Sequence, residues 1–314
     1  MSEKRGKPDP RVAVMLAVMR LLHREFYDFK LSPAVNRSAM ERESRMAAGR
    51  SEKVFSTADI GIRDGLTVRL YRPSARTGLP VVLFIHGGGW MVGSISTHDN
   101  ICRRLSNYAG ALVVSVGYRL APENKFPAAL EDVYTALHWA NAESGAFGGD
   151  PGRLAVAGDS AGGNLAAAVC LVTRDRGGPP VRFQALAYPG LDASDLDRES
   201  YILNGKGYFL TKNIIEQVIP QYVNNAAEVF DPYVSPLLAK DVSGLPPGFV
   251  ITAGFDPLMS EGEAYAARLS GSGIHCRAHR YDSMIHGFIS LGGLLPQAGQ
   301  AIGEMATAIS EALQ

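Results

Sequence analysis

Six short apolar runs, each flanked by Gly, Pro or Asp, alternate with helical stretches along most of this chain. They are Val81–Ile85, Leu112–Val116, Leu154–Ala157, Phe183–Ala187, Phe249–Thr252 and Cys276–Tyr281. Runs without strict apolar–polar alternation are the pattern of strands buried on both faces. Between them lie helix candidates at His98–Ala109, Ala128–Glu143, Asn164–Arg174, Ser260–Ser270 and Gln297–Leu313. Strand–helix alternation of this kind calls for a parallel sheet with helices on both sides. A β-rich pair, Val54–Ile62 and Leu66–Tyr71, turns at Asp64-Gly65 and reads as a hairpin, which puts an antiparallel edge on that sheet.

Two segments break the rhythm. Residues 1–50 are helical and charged with no β pattern, and residues 192–233 form a long, mostly helical excursion between strands, clearest at Lys212–Asn224. Long excursions of this type are often lids. The expected division is therefore a cap made from 1–50 and 192–233 over an α/β core made from 51–191 and 234–314. Lys4, Arg5 and Lys7 before the run Val12–Met19 superficially resemble a secretory signal, but the run is short, Arg20 ends it, and no small-residue cleavage site follows. An amphipathic helix over Arg11–Phe29, with Arg20, Arg24 and Asp28 on one side, fits better.

Composition excludes some classes of function. With 31 basic and 31 acidic residues the chain lacks the cationic excess of a nucleic-acid binder, and it has no electrostatic reason to sit on an anionic membrane. No segment approaches the roughly 20 apolar residues of a membrane span, so no membrane insertion is expected. Cys102, Cys170 and Cys276 are odd in number and widely spaced, with no metal-ligand pattern; free thiols in a cytoplasmic setting are expected.

Gly158-Asp-Ser-Ala-Gly162 matches G-x-S-x-G between a strand and a helix, the context in which that motif forms a sharp turn. The turn needs small neighbours and lifts the Ser160 hydroxyl above the sheet, beside a helix N-terminus that favours negative charge. His86-Gly-Gly-Gly89 follows the Val81–Ile85 strand, and glycines there let main-chain N–H groups approach an oxyanion. Gly87 and Gly88, with Ala161, are the expected donors; His86 reads as a structural tie.

Seven histidines compete for the role of base. His23 and His138 fall inside helix candidates, His98 starts one, and His275 and His279 flank or occupy a late strand. His286 lies past that strand's end, where a base can reach a nucleophile on the same edge. The acid should follow a strand between Ser160 and His286, and Asp256 does; Asp282, read as sharing the loop of His286, and Asp192 are weaker. The order Ser, acid, His is the α/β-hydrolase order.

Together His86-Gly-Gly-Gly-Trp90, Tyr118–Glu123, Gly158–Asn164, Tyr188-Pro189, Ser235-Pro-Leu237, Asp256-Pro-Leu258 and His286-Gly-Phe288 resemble the hormone-sensitive-lipase family of esterases, the bacterial family IV, over nearly the whole chain. The resemblance implies an α/β-hydrolase fold with a mostly parallel eight-stranded sheet and a helical cap. It puts Ser160, Asp256 and His286 on the catalytic positions and Gly87, Gly88 and Ala161 on the oxyanion hole. It also implies a carboxylesterase acting on a small-molecule ester of short or medium chain, with no cofactor or metal, and allows a homodimer. Asp159 marks the subgroup with aspartate before the nucleophile. Met259-Ser260 departs from the Arg-Asp often found after the Asp-Pro-Leu of relatives. Trp90, Tyr188, Phe209 and Leu210 are candidate substrate contacts; Met91 and Tyr208 are further wall residues that core packing explains equally well. An amidase or deacetylase using the same triad, and a non-enzymatic receptor on the same fold, are the alternative readings.

Overall fold

A computed structural model describes residues 6–22 and 27–314; Lys4, Arg5, His23 and Arg24 lie outside the described residues. The strands are β1 (Ser56–Arg63), β2 (Leu66–Arg72), β3 (Leu79–Ile85), β4 (Leu112–Gly117), β5 (Gly149–Asp159), β6 (Phe183–Ala187), β7 (Gly248–Phe255) and β8 (Cys276–Ile285). They form one sheet in the order β1-β2-β4-β3-β5-β6-β7-β8. β1 and β2 make the antiparallel hairpin, β2 pairs antiparallel with β4, and all pairings from β4 to β8 are parallel.

The continuous apolar runs follow from this arrangement. Successive side chains of a strand point to opposite faces, so each central strand feeds two cores. Val81, Leu83 and Ile85 join one apolar cluster while Val82 and Phe84 join the other. The first cluster is roofed by α4 (Ala128–Glu143), α5 (Ala161–Arg176) and α8 (Met259–Gly271), through Leu130, Leu165 and Leu269. The second is roofed by α3 (Asp99–Ala109) and α9 (Pro296–Ala312), through Leu105 and Ile302.

β8 departs from the two-faced pattern. It is the sheet edge, and Arg277, His279 and Arg280 are exposed on it; Tyr281, Met284 and Ile285 are the β8 side chains that enter the core. Charged side chains along an edge discourage pairing with other chains. Asp282, expected in the loop of His286, is an exposed residue of this strand, held by Arg280 at 2.7 Å.

At the N-terminus, α1 (Pro10–Leu21) is capped by the Asp9 side chain and ends earlier than the expected Arg11–Phe29 helix. α2 (Pro33–Ala47) starts at the Ser32 cap with Pro33 in its first turn, where a proline costs no hydrogen bond. The excursion after β6 contains α6 (Glu199–Asn204) and α7 (Lys212–Tyr222). Thr211 caps α7, and Val218, Ile219 and Tyr222 pack it onto the first core. Met15, Met19 and Met40 from the N-terminal helices share the wall of one cavity with Phe209 from the excursion.

Candidate active site

The carboxyl ends of β3, β5, β7 and β8 meet on one edge of the sheet, and a chemically loaded loop follows each. β5 runs directly into α5 through Ser160, whose φ of 55° and ψ of −122° lie outside the ordinary regions for a residue with a Cβ. This conformation survives because the turn is over-determined by its neighbours. A Cβ on Gly162 would sit 2.1 Å from the Ile85 carbonyl oxygen, and one on Gly158 would sit 2.4 Å from the Gly162 oxygen. The main chain of β3, the turn and the start of α5 therefore touch directly, and the Ser160 hydroxyl is left pointing off the sheet edge.

His286 follows β8 and Asp256 follows β7. His286 Nε2 lies 2.8 Å from Ser160 Oγ, and His286 Nδ1 lies 2.7 Å from Asp256 Oδ2. The remaining Asp256 oxygen, Oδ1, accepts the Leu258 N–H at 2.9 Å. Asp256 is fully buried and His286 is 5% exposed. A carboxylate takes hydrogen bonds only from donors, so Nδ1 carries the proton and Nε2 is left to accept from the serine hydroxyl. Among the described residues, no other histidine is hydrogen-bonded to Ser160 or Asp256. His138 and His275 are exposed, His279 is tied to Glu304 on the surface at 2.6 Å, and His23 lies outside the described residues. His86 is buried against Tyr118, stacked at 4.2 Å, with Nδ1 2.9 Å from the Gly87 carbonyl oxygen. Burial, with the charge of nearby His98 adding to it, pushes its pKa down to about 3, so it is a neutral structural ring. Asp192 is engaged by Ser194 and Arg198.

The glycine loop corrects one expected donor. The Gly87 N–H is given to Asp159 Oδ1 at 2.9 Å and is not free for a ligand. Its glycine is needed for close approach, since a Cβ there would lie 2.7 Å from the Asp159 carboxylate. Gly88 and Gly89 turn the chain through φ of 124° and 58°, and among the described residues no acceptor takes their N–H groups. Ala161 opens α5, so its N–H has no partner within the helix. The amides beside Ser160 are thus Gly88, Gly89 and Ala161. Gly89 was missed because three consecutive glycines look alike in a sequence; only the Asp159 contact distinguishes them.

Two cavities meet at Ser160 and His286. One of about 70 Å³ is lined by Gly89, Trp90, Leu210, Ile214 and Val218. The other, about 240 Å³, is lined by Met15, Met19, Met40, Phe209 and Leu294, with Gly88 and Asp159 at its base. Trp90 is stacked on Tyr222 at 4.2 Å. Trp90, Leu210 and Phe209 therefore border cavity space as expected. Tyr188 does not. It is fully buried, borders neither cavity, and lays its ring against the His286 imidazole with 4.7 Å between centroids. Its φ of 36° turns it inward at the end of β6. Met91 and Tyr208 are packing residues: Met91 is 2% exposed, and Tyr208 lies against Phe255 at 5.1 Å between centroids. Met259 and Ser260 begin α8, where Met259 N–H is given to the Asp256 carbonyl oxygen at 3.3 Å and Ser260 N–H to Ser200 Oγ at 3.2 Å.

Residues 82–290 match the family model of the alpha/beta hydrolase fold. Carboxylesterase NlhH of Mycobacterium tuberculosis is 41% identical over 258 residues, 80% of each chain. Carboxylic ester hydrolase LipN of the same organism is 45% identical over 232 residues, 72% of this chain and 61% of its own. Among solved structures, EstE1, a thermophilic carboxylesterase from a metagenomic library, superposes with a TM-score of 0.89 at 42% identity, over 92% of this chain and all of its own.

Proposed function

The chain belongs to the hormone-sensitive-lipase-like esterases of the α/β-hydrolase family and is a carboxylic-ester hydrolase; on that premise we propose that Ser160, His286 and Asp256 are its catalytic triad and that Gly88, Gly89 and Ala161 form its oxyanion hole. The observation that carries this reading is the unbroken hydrogen-bonded line from buried Asp256 through His286 to a strained Ser160 at the junction of two cavities.

The steps follow from the geometry. Ser160 Oγ attacks the ester carbonyl carbon while its proton passes to His286 Nε2. The carbonyl oxygen becomes an oxyanion facing backbone donors that need no reorganisation. His286, now an imidazolium, gives its proton to the departing alkoxide as the carbon–oxygen bond breaks. Water repeats the sequence on the acyl-enzyme and releases the acid. Asp256 holds the imidazole tautomer and opposes the positive charge that His286 gains.

The two cavities separate the halves of the ester. The smaller one is walled by branched aliphatic side chains and suits a short to medium acyl group. The methionine-lined one, being larger and built from polarizable, adaptable side chains, suits the alcohol portion. We read the described residues of 1–50, with 192–233, as the cap over both. No helix of the described residues is long and apolar enough to cross a membrane. The reading extends to a cytoplasmic setting, supported by three unpaired cysteines, and to a homodimer on the strength of the family resemblance, for which light scattering of the purified protein is the test.

Replacing Ser160 by Ala should abolish turnover of a chromogenic short-chain ester, and an organophosphonate should label the native protein at Ser160 alone. Retained turnover in the alanine variant, or labelling elsewhere, would overturn the assignment.

A further inference from the structure

The residue before the nucleophile poses an electrostatic problem. Asp159 is 4% exposed and lines the same cavity as Ser160, Gly87 and Gly88. A bare carboxylate there would oppose the negative charge that develops on the substrate oxygen. Yet its oxygen is what takes the Gly87 N–H and so shapes the loop that presents Gly88 and Gly89.

His98 supplies the answer. Its Nε2 lies 3.1 Å from Asp159 Oδ1, and the residue is 7% exposed. Its Nδ1 lies 2.7 Å from Thr97 Oγ1. The Thr97 hydroxyl lies 2.8 Å from the Ser94 carbonyl oxygen, and its oxygen accepts the Ser94 N–H at 2.9 Å. With the hydroxyl proton assigned to that carbonyl, Nδ1 donates to Thr97. Nε2 must donate as well, because a carboxylate only accepts. A ring that donates from both nitrogens is an imidazolium. We propose that His98 and Asp159 are a positioning pair, an imidazolium locked to a carboxylate, which holds the oxyanion loop through Gly87 while leaving no net charge beside the oxyanion.

The surroundings agree. The groups facing the His98 ring are His86, at 5.6 Å between centroids and neutral, and Phe84 at 6.0 Å. Next along the chain, Asp99 is committed to Arg69 and Arg103, so it does not compete for His98. Burial alone would raise the Asp159 pKa, but the charge and hydrogen bond of His98 and the Gly87 N–H outweigh it and hold the carboxyl below its usual range. The inference rests on the Ser160 reading and deepens it.

The test has two parts. Nitrogen-15 spectra of the histidine rings in the native protein at pH 7.5 should show one buried ring, moved by Asp159→Asn, with both nitrogens protonated. A neutral-imidazole pattern for that ring overturns the proposal, whatever the variants do. Steady-state kinetics on a soluble aryl ester then separate charge from shape. His98→Gln leaves a buried, uncompensated anion and should lower kcat about 100-fold with KM within about threefold. Asp159→Asn removes the charge but keeps an acceptor for Gly87 and should lower kcat only about tenfold. The double variant should return to the level of Asp159→Asn, above His98→Gln. A His98→Gln enzyme within twofold of the native rate, or a double variant no faster than His98→Gln, refutes the pairing. An active Ser160→Ala control would instead bring down the catalytic reading itself.

Discussion

Replacing Asp256 by Asn changes one atom at the back of the triad, and its cost can be worked from the geometry. Asp256 Oδ1 already accepts the Leu258 N–H at 2.9 Å, and an Asn oxygen can keep that bond. The Asn NH₂ group then occupies the place of Oδ2, 2.7 Å from His286 Nδ1. Nδ1 must become an acceptor, the proton moves to Nε2, and Nε2 can no longer take the serine proton. Independently, the imidazolium formed in the transition state loses a full negative charge at 2.7 Å. At an effective dielectric constant of about 20 that interaction is worth about 6 kcal/mol, equivalent to roughly 10⁴ in rate. An aspartate-to-asparagine change in an unrelated serine hydrolase costs a similar factor, about 10⁴, through the tautomer. The expectation for Asp256→Asn is thus a kcat on a short-chain aryl ester about 10⁴-fold lower, with KM changed by less than about fivefold. Every buried polar atom keeps a partner, so the midpoint of thermal unfolding should move by only a few degrees. A kcat within tenfold of the native value, in a folded variant, would show that Asp256 neither sets the tautomer nor meets the charge.

Three further outcomes are expected. Gly162→Ala puts a Cβ 2.1 Å from the Ile85 carbonyl oxygen, so denaturant unfolding should show a loss above about 4 kcal/mol; Gly303→Ala, in α9 with nothing within 4 Å, should be neutral or gain up to about 1 kcal/mol. The folded chain keeps His86 neutral down to about pH 3, whereas the unfolded chain takes up a proton near pH 6.5. The unfolded state therefore binds more protons in that window, and this contribution is present above pH 6.5 and lost as pH falls, by about 3 kcal/mol at pH 4.5. His86→Phe should flatten the fall in urea-unfolding stability between pH 7 and 4.5 by about that amount, and parallel curves for the two proteins would contradict it. Leu210→Ala enlarges the smaller cavity, and the ratio of kcat/KM for hexanoate over acetate aryl esters should rise about tenfold; an unchanged ratio would remove that cavity from acyl binding.

Much of the fold was legible because strand periodicity is a local property. The runs at Phe183–Ala187 and the helix at Ala128–Glu143 are bounded in the structure as in the sequence. Cys276–Tyr281 was misread as an inner strand because apolar content alone does not say which strand ends the sheet; the arginines within it were the available signal. Ser160, His286 and Asp256 stood out because each follows a strand, and parallel strands deliver their carboxyl ends to one edge. Tyr188 was misassigned for a related reason. Its place after β6 is right for a substrate contact, but a positive φ swings the ring inward against His286. No sequence pattern announces a left-handed tyrosine.

The order of residues along the chain was enough to indicate a mostly parallel sheet, the edge at which its strands end and the candidates for nucleophile, base and acid, because these depend on periodicity and on which residue types can sit in a tight turn. Which amides remain free for an oxyanion, which rings touch substrate space and how Asp159 is neutralised were decided only when distant segments met. Gly87, Asp159 and His98 are separated by up to 72 positions, and the direction of each N–H is set by contacts across that gap. A hydrogen bond has a donor, an acceptor and an angle, and the angle exists only in three dimensions.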